Sequence, residues 1–232
     1  MNIRGLYKTS LIDYPGMISS VIFTGGCNLS CRYCHNPDLA RNDNSLDLFT
    51  NDEILHFLKK RRHLIDALTV SGGEPTISKN IGSFLNRVRE LSLPVKLDTN
   101  GLLPGVVQEL LESGLLKYVA LDVKTSPGKY RDLAGRDIDF SLIARTVEIL
   151  KEHETDYEIR TTCVPGYAEP EDFEEIKNAI GTVERYYIQQ FVSSVPLIDP
   201  ELRNISPYPV VYLEKIKDYV LTFSETCEIR GI

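Results

Sequence analysis

Three of the chain's five cysteines fall within eight residues, in the stretch Gly25-Gly26-Cys27-Asn28-Leu29-Ser30-Cys31-Arg32-Tyr33-Cys34-His35-Asn36. The spacing is Cys-x3-Cys-x2-Cys, and no fourth cysteine follows nearby. In a reducing compartment, thiolates so placed read as a metal or cluster site rather than as disulfides. A structural zinc, or a fully ligated 4Fe–4S cluster, takes four protein ligands. Three leave one iron without a protein ligand, which is what substrate chemistry at a cluster requires. The competing reading is a zinc knuckle with His35 as fourth ligand.

Other candidate chemistry falls where strands end. Ser71-Gly72-Gly73-Glu74-Pro75 follows the apolar run Ala67 to Val70. Its glycines would let backbone approach a ligand closely, and its carbonyls and carboxylate could accept from an ammonium group. Asp98-Thr99-Asn100-Gly101 and Asp122-Val123-Lys124 end the next two apolar runs. An Asp and a Lys two residues apart in a buried strand place a charge inside, which is costly unless it is partnered. Cys163 and Cys227 lie in or beside apolar strands and read as core thiols.

These groups need elements to hold them. Ile18 to Thr24 is a buried-strand candidate that delivers the cysteine loop at its C-terminal end. Polar residues 38–47 read as a loop. Thr50-Asn51-Asp52-Glu53 is a capping box opening a helix with Ile54, Leu55 and Leu58 on one face. Strands and helices then alternate: a helix through Ile81, Phe84 and Val88, a strand at 95–97, and a helix opened by Pro104. A strand at 118–121, a helix through Ile143 and Leu150, and a strand at 157–164 follow. A helix at 173–180, a strand at 186–192, a helix at 210–220 and a strand at 228–232 close the chain. Strict alternation predicts parallel strands with helical crossovers. Distinctive residues at strand C-terminal ends match the active-site placement of a barrel. About six β/α units are too few for eight, so the expected fold is α/β, an incomplete (β/α)6 TIM-like barrel. No linker or repeat divides residues 1–232, which read as one domain with a short N-terminal extension, 1–17, and a partial barrel from about residue 18.

Composition bounds the function. At 232 residues, 42% hydrophobic and 25% charged, the chain is ordinary for a globular domain. A net charge of −7 argues against nucleic acid as a partner. The one basic run, Lys59-Lys60-Arg61-Arg62, ends a predicted helix, where cations suit the dipole. No apolar run approaches the roughly 20 residues of a membrane span, and the N-terminus lacks a signal-peptide pattern, so no membrane partner and a cytoplasmic location are expected.

The cysteine spacing, with Tyr33 just before the last cysteine, resembles the signature of the radical S-adenosylmethionine (SAM) superfamily. That resemblance implies one 4Fe–4S cluster on Cys27, Cys31 and Cys34, and S-adenosyl-L-methionine chelated at the open iron. One-electron cleavage of the sulfonium then gives a 5′-deoxyadenosyl radical. Gly72-Gly73-Glu74, after Ser71, resembles the element that holds the cofactor's amino group. Asp98, Asn100, Asp122 and Lys124 sit in segments that resemble those of the glycyl-radical-enzyme activating proteins, pyruvate formate-lyase activating enzyme among them. By that likeness Asp98 and Asp122 would help form a monovalent-cation site, and Lys124 and Arg160 would contact the cofactor. Tyr33 and His35 would shape its surroundings, with no catalytic residue beyond cluster and cofactor.

Gly5-Leu6-Tyr7-Lys8-Thr9-Ser10-Leu11-Ile12-Asp13-Tyr14-Pro15-Gly16, with the Cys-His-Asn-Pro that ends the cysteine motif, is similar to the anaerobic ribonucleoside-triphosphate reductase activating proteins. The implied activity is hydrogen abstraction from a glycine of a partner glycyl radical enzyme. A flavodoxin- or ferredoxin-like donor would supply the electron. An incomplete barrel would leave a lateral gap through which a protein loop could enter. Two alternatives stand beside it: a compact radical SAM enzyme acting on a small molecule, as 7-carboxy-7-deazaguanine synthase does, and a zinc or Fe–S binding interaction module. From Cys34 to Ser71 no further cysteine occurs, so the ferredoxin-like insert of some activases is absent. Tyr186-Tyr187-Ile188-Gln189-Gln190-Phe191 departs from the activase pattern in offering no histidine.

Overall fold

Ser19–Thr24, Ala67–Gly72 and Val95–Thr99 are short apolar runs, each followed by an amphipathic segment, and such alternation folds as parallel strands with helical crossovers. The computed structural model, which describes residues 1–153 and 155–232, has this arrangement. Its strands are β1 (Ile3–Ser10), β2 (Ser19–Thr24), β3 (Ala67–Gly72), β4 (Val95–Thr99), β5 (Tyr118–Asp122), β6 (Asp156–Cys163), β7 (Val183–Gln190) and β8 (Ser224–Arg230). They form one sheet in sequence order. β1 runs antiparallel to β2, while β2–β3, β3–β4, β6–β7 and β7–β8 are parallel. The helices are α1 (Pro37–Arg41), α2 (Asn51–Arg61), α3 (Ile81–Arg89), α4 (Pro104–Glu112), α5 (Tyr130–Ala134), α6 (Ser141–Glu152), α7 (Pro170–Ile180) and α8 (Val210–Val220). Each strand from β2 to β7 is followed by at least one helix, which is the six-unit repeat of the expected incomplete barrel.

By contact the chain divides into two compact units. One comprises Met1–Asn28, Asp38–Thr99 and Gly105–Val119; the other comprises Leu29–Pro37, Asn100–Pro104 and Ala120–Ile232. In the first, Val21, Ile22, Leu68, Val70 and Leu97 are buried with the inner faces of α2 and α3, among them Leu58, Phe84 and Val88. The capping box at α2 is formed as its sequence predicts: the Glu53 amide donates to the Thr50 hydroxyl (3.2 Å), and the Thr50 amide to Glu53 Oε2 (2.7 Å). In the second unit, Tyr186 on β7 packs edge-on against Phe173 of α7 and Phe223, with ring centroids 6.1 and 5.8 Å apart. Its hydroxyl is hydrogen-bonded to Thr161 (2.7 Å), which lets a phenol sit fully buried without an orphaned donor.

Three local readings change. Within the stretch 1–17, read as a short N-terminal extension, β1 is a full eight-residue strand, because pairing with β2 along one edge suffices without a periodic apolar face. α1 occupies part of the stretch read as loop 38–47; five residues with no buried side chain carry no periodicity to read. β8 begins at Ser224, not Glu228, since its polar start is fixed by register against Val183 and Arg185. Among the described residues no helix is long and apolar enough to cross a membrane.

Candidate active site

In the first unit, the end of β2 is tied to the turn after β3 by backbone. The Gly73 amide donates to the Thr24 carbonyl (2.8 Å) and the Glu74 amide to the Gly26 carbonyl (2.8 Å). The Gly26 amide donates to Leu39 (2.8 Å) and the Gly25 amide to Asn2 (2.9 Å). The sequence reads Gly72 and Gly73 as making room for a ligand; they make room for chain. Gly72 has φ +125°, and a Cβ there would overlap the Thr24 backbone; a Cβ at Gly73 would overlap the Gly26 carbonyl and crowd the Cys27 amide. The residue before them, Ser71, gives its carbonyl to the Thr24 hydroxyl (3.3 Å).

Glu74 is buried, and its Oε1 accepts from the Thr76 amide (3.1 Å), the Thr76 hydroxyl (2.6 Å) and the Thr99 hydroxyl (2.8 Å). A carboxylate so surrounded is held in one orientation. Asp98 is ion-paired with Lys96, two residues back on β4. The Lys96 ammonium, 2% exposed, also lies 5.9 Å from the Tyr118 ring centroid.

The second unit holds the rest of the cysteine loop. The Ser30 amide donates to Ala134 (3.0 Å), the Arg32 amide to Leu133 (2.9 Å), and the Cys34 amide closes a turn on Cys31 (2.9 Å). Gly135, with φ +74°, ends α5 where a Cβ would touch the Ser30 carbonyl at 2.9 Å. The Arg32 guanidinium reaches Asp199 through Nε (2.8 Å) and Nη2 (2.7 Å). Through Nη1 it reaches the Tyr167 hydroxyl (2.5 Å) and Asp132 (3.5 Å). Tyr167 in turn donates to Asp132.

Beyond Arg32, Tyr33 is buried and its hydroxyl lacks a well-formed hydrogen bond, though the Thr162 side chain approaches it. Burial pushes the Tyr33 phenol up, against the pull of Lys124; Cys31 and Asp122 are close enough to push with it. Asp122 accepts from Lys124 Nζ (2.9 Å) and from Arg160 Nε (2.8 Å). Burial alone would raise the Asp122 carboxyl, but Arg160 and Lys124 outweigh it and hold it well below the ordinary carboxylate range. Lys124 is disfavoured by burial and rescued by Asp122, so it stays charged. Asn100 accepts from the Leu102 amide (3.1 Å) and shapes the turn at Gly101. Burial, and then the Lys124 charge, lowers the His35 imidazole, against a hydrogen bond with the Val192 backbone.

Thus the second unit gathers Cys31, Tyr33, His35, Asp122, Lys124 and Arg160, and the first holds Cys27, Ser71, Gly72, Gly73, Glu74 and Asp98. Sequence reasoning passed over Arg32, although an arginine between two candidate ligands is a visible signal. It also passed over Lys96, whose partner at i+2 repeats the Asp122–Lys124 spacing in reverse. Cys163 and Cys227 are buried, and burial pushes both thiols up, Cys227 to about 12, so neither offers a thiolate.

Among the described residues no three His, Cys, Asp or Glu side chains stand grouped as a metal site. What fits an iron–sulfur cluster is the donor set: three thiols on one loop, none in a disulfide, and the loop fixed by backbone hydrogen bonds. What fits a cofactor with both ammonium and carboxylate groups is the mixed-charge set of Asp122, Lys124 and Arg160, with the Tyr33 hydroxyl beside it.

The sequence profile of the Radical SAM superfamily matches residues 21–180. A Methanocaldococcus jannaschii protein, whose name places it among the glycyl-radical enzyme activating enzymes, is 36% identical across 98% of this chain and 98% of its own length. The pyruvate formate-lyase-activating enzyme of Staphylococcus aureus is 29% identical over 81% of this chain and 79% of that enzyme. Among solved structures, Streptococcus suis SuiB bound to S-adenosylmethionine is similar with a TM-score of 0.67 and 18% identity. It covers 91% of this chain and 50% of SuiB, so the chain spans about half the length of that structure and the likeness shows the fold alone.

Proposed function

The chain belongs to the radical SAM superfamily, among its glycyl-radical-enzyme activating enzymes, and from that premise we propose that it takes hydrogen from a backbone glycine of a partner glycyl radical enzyme. The family implies a 4Fe–4S cluster and S-adenosylmethionine; bound together they supply a one-electron sulfonium cleavage whose product can abstract hydrogen from carbon. Cys27, Cys31 and Cys34 would hold the cluster as thiolates. Glu74, fixed by Thr76 and Thr99, would receive the cofactor's ammonium group. Lys124 and Arg160 would meet its carboxylate, with Asp98 and Asp122 beside a monovalent cation. Tyr33 and His35 would wall the same space. Residues 1–232 would then act as one domain, since the cysteine motif has members in both units.

The observation that carries this reading is the placement of Asp122 at the end of β5, ion-paired with Lys124 just beyond it and with Arg160 of β6, with Asp122 and Lys124 within electrostatic reach of Tyr33 and Lys124 within reach of Cys31. The partner we favour is anaerobic ribonucleoside-triphosphate reductase, on the resemblance of residues 5–16, and the electron donor a flavodoxin- or ferredoxin-like protein. The deciding experiment is label transfer. With the partner's glycine deuterated at its α-carbon, deuterium should appear in the deoxyadenosine formed, and the partner should show a doublet glycyl signal in electron paramagnetic resonance. Cofactor cleaved without any label transfer would remove the glycine as hydrogen donor. Replacing Cys27, Cys31 or Cys34 by Ala should abolish iron binding, whereas Cys163→Ala and Cys227→Ala should cost packing alone.

A further inference from the structure

The ion pairs at Asp122 continue inward, entirely within the second unit, to the last strand of the chain. Arg160 faces two carboxylates: Asp122 at 2.8 Å through Nε, and Glu158 at 3.8 Å through Nη1. Glu158 lies two residues before Arg160 on β6, so both side chains leave the same face. Its side chain is 0% exposed, and a carboxylate that deep must be neutralised. Arg230 of β8 does so with a two-pronged pair, Nη1 to Oε1 at 2.8 Å and Nη2 to Oε2 at 3.0 Å. The Arg230 guanidinium in turn lies 3.3 Å from the Tyr187 ring centroid. The run Lys124–Asp122–Arg160–Glu158–Arg230 alternates in sign, with three cations for two carboxylates.

We propose that Arg230 is a positioning residue: by satisfying buried Glu158, it leaves Arg160 to Asp122 and so fixes the charged cluster that joins the end of β5 to β6. The reason is competition. A buried carboxylate stripped of its arginine draws the next guanidinium, and Arg160 already stands within 4 Å of Glu158. Turned toward Glu158, Arg160 would leave Asp122 with Lys124. This inference rests on the reading of Asp122, Lys124 and Arg160 as the carboxylate-binding end of the cofactor site. None of those three residues would need to be altered for the site to fail.

The test uses the cluster-reconstituted chain under anaerobic conditions, with S-adenosylmethionine affinity measured by calorimetry. Arg230→Gln should weaken binding about tenfold, the size of coupling that contacting charged groups show. Glu158→Gln should bind as wild type, because the competitor is then neutral. The double variant Glu158→Gln/Arg230→Gln should recover the affinity lost in Arg230→Gln. If Arg230 acted only by packing on Tyr187, the double variant would bind no better than the single one, and the inference would be overturned.

A second readout needs no cofactor. In thermal unfolding of the same reconstituted protein, Arg160→Gln should lower the midpoint further in the Arg230→Gln background than in wild type, since Arg160 is then the guanidinium left to Glu158. Additive midpoints would overturn the inference whatever the binding data show. Should Arg160→Gln bind S-adenosylmethionine as tightly as wild type, the cofactor reading of this end fails, while the unfolding comparison still decides whether Arg230 positions Arg160.

Discussion

The cysteine loop is held at its two ends by different means. Before Cys27, Gly25 and Gly26 are fastened mainly by backbone: their amides donate to the Asn2 and Leu39 carbonyls (2.9 and 2.8 Å), and the Gly26 carbonyl accepts from the Glu74 amide (2.8 Å), in a space that admits no side chain on Gly72 or Gly73. After Cys27, the loop from Leu29 to Pro37 keeps two backbone bonds to α5 but adds a side-chain hub, Arg32, that reaches Asp199, Tyr167 and Asp132. Backbone contacts of the first kind fail all at once, because a clash with a carbonyl has nowhere to relax. Contacts of the second kind are graded: each partner can be removed alone, and a half-exposed arginine can find another. The first end should therefore decide whether the loop exists, and the second how tightly it is kept.

At the backbone-held end, Gly73→Ala should be severely damaging. The new Cβ overlaps the Gly26 carbonyl oxygen and carbon, and no flexible side chain stands in between to yield. A loss of about 3–5 kcal/mol is expected, at the severe end of single substitutions. Iron bound per chain should fall with it, since displacing Gly26 displaces Cys27. The natural control is Gly105→Ala in α4, where a Cβ meets nothing within 4 Å and helix preference should add about 0.5–1 kcal/mol. Anaerobic iron and sulfide analysis, with thermal midpoints, would read both. A Gly73→Ala protein with full iron and a wild-type midpoint would break the contrast, because the backbone clamp would then be dispensable.

Arg32→Ala should be milder. The side chain is 31% exposed, so its ion pairs are partly screened, and about 1–2 kcal/mol is a fair sum for a charged hub of hydrogen bonds in that setting. Iron content after reconstitution should be near normal, while a chelator should strip it faster than from wild type. Arg32→Lys should recover part of the difference, since one ammonium can meet Asp199 but cannot span Asp199 and Tyr167 as the guanidinium does. If Arg32→Ala proved as damaging as Gly73→Ala, the two ends would be equivalent and the comparison would collapse.

These two ends also mark what could be read before the fold was known. The alternation of β2 to β8 with helices, the capping box at Thr50 and the helix at 210–220 were legible, because each is written in local periodicity or in residues three apart. Asp122 and Lys124 were legible as a charge needing a partner, and the partner is there, joined by Arg160. The purpose of Gly72 and Gly73 was not. A glycine pair before a glutamate looks the same whether the space beside it belongs to a ligand or to Gly26. Nor were the partners of Arg32, a residue whose place between two cysteines is visible but whose three contacts lie 100 or more residues away along the chain. Lys96 escaped for another reason: a lysine buried by an aspartate two residues on reads, in one dimension, as a polar interruption of a strand.

The finest distinction within the hub is Tyr167→Phe. The hydroxyl accepts from Arg32 and donates to Asp132, so it stands between two groups already 3.5 Å apart. Removing it leaves the ring, whose centroid lies 6.0 Å from the guanidinium, and the Tyr167 carbonyl, which still accepts from the Thr125 hydroxyl (2.6 Å). Arg32 and Asp132 could then approach each other directly, at an Asp132 that is well exposed and therefore screened. The expected cost is below about 1 kcal/mol, smaller than for Arg32→Ala, and it should vanish in the Arg32→Ala background, because the hydroxyl then has no guanidinium to orient. Burial, and then the bond to Asp132, holds the Tyr167 phenol above its ordinary value, so the protonated form is the folded one. Its contribution is present at neutral pH and lost only as pH climbs past the unfolded value of about 10, so the difference between Tyr167→Phe and wild type should stay flat below about pH 9. Chemical unfolding of the four proteins of this cycle at two pH values measures both terms. A Tyr167→Phe cost that persists undiminished without Arg32 would mean the tyrosine serves α5 on its own account, and the graded end of the loop would lose one of its members.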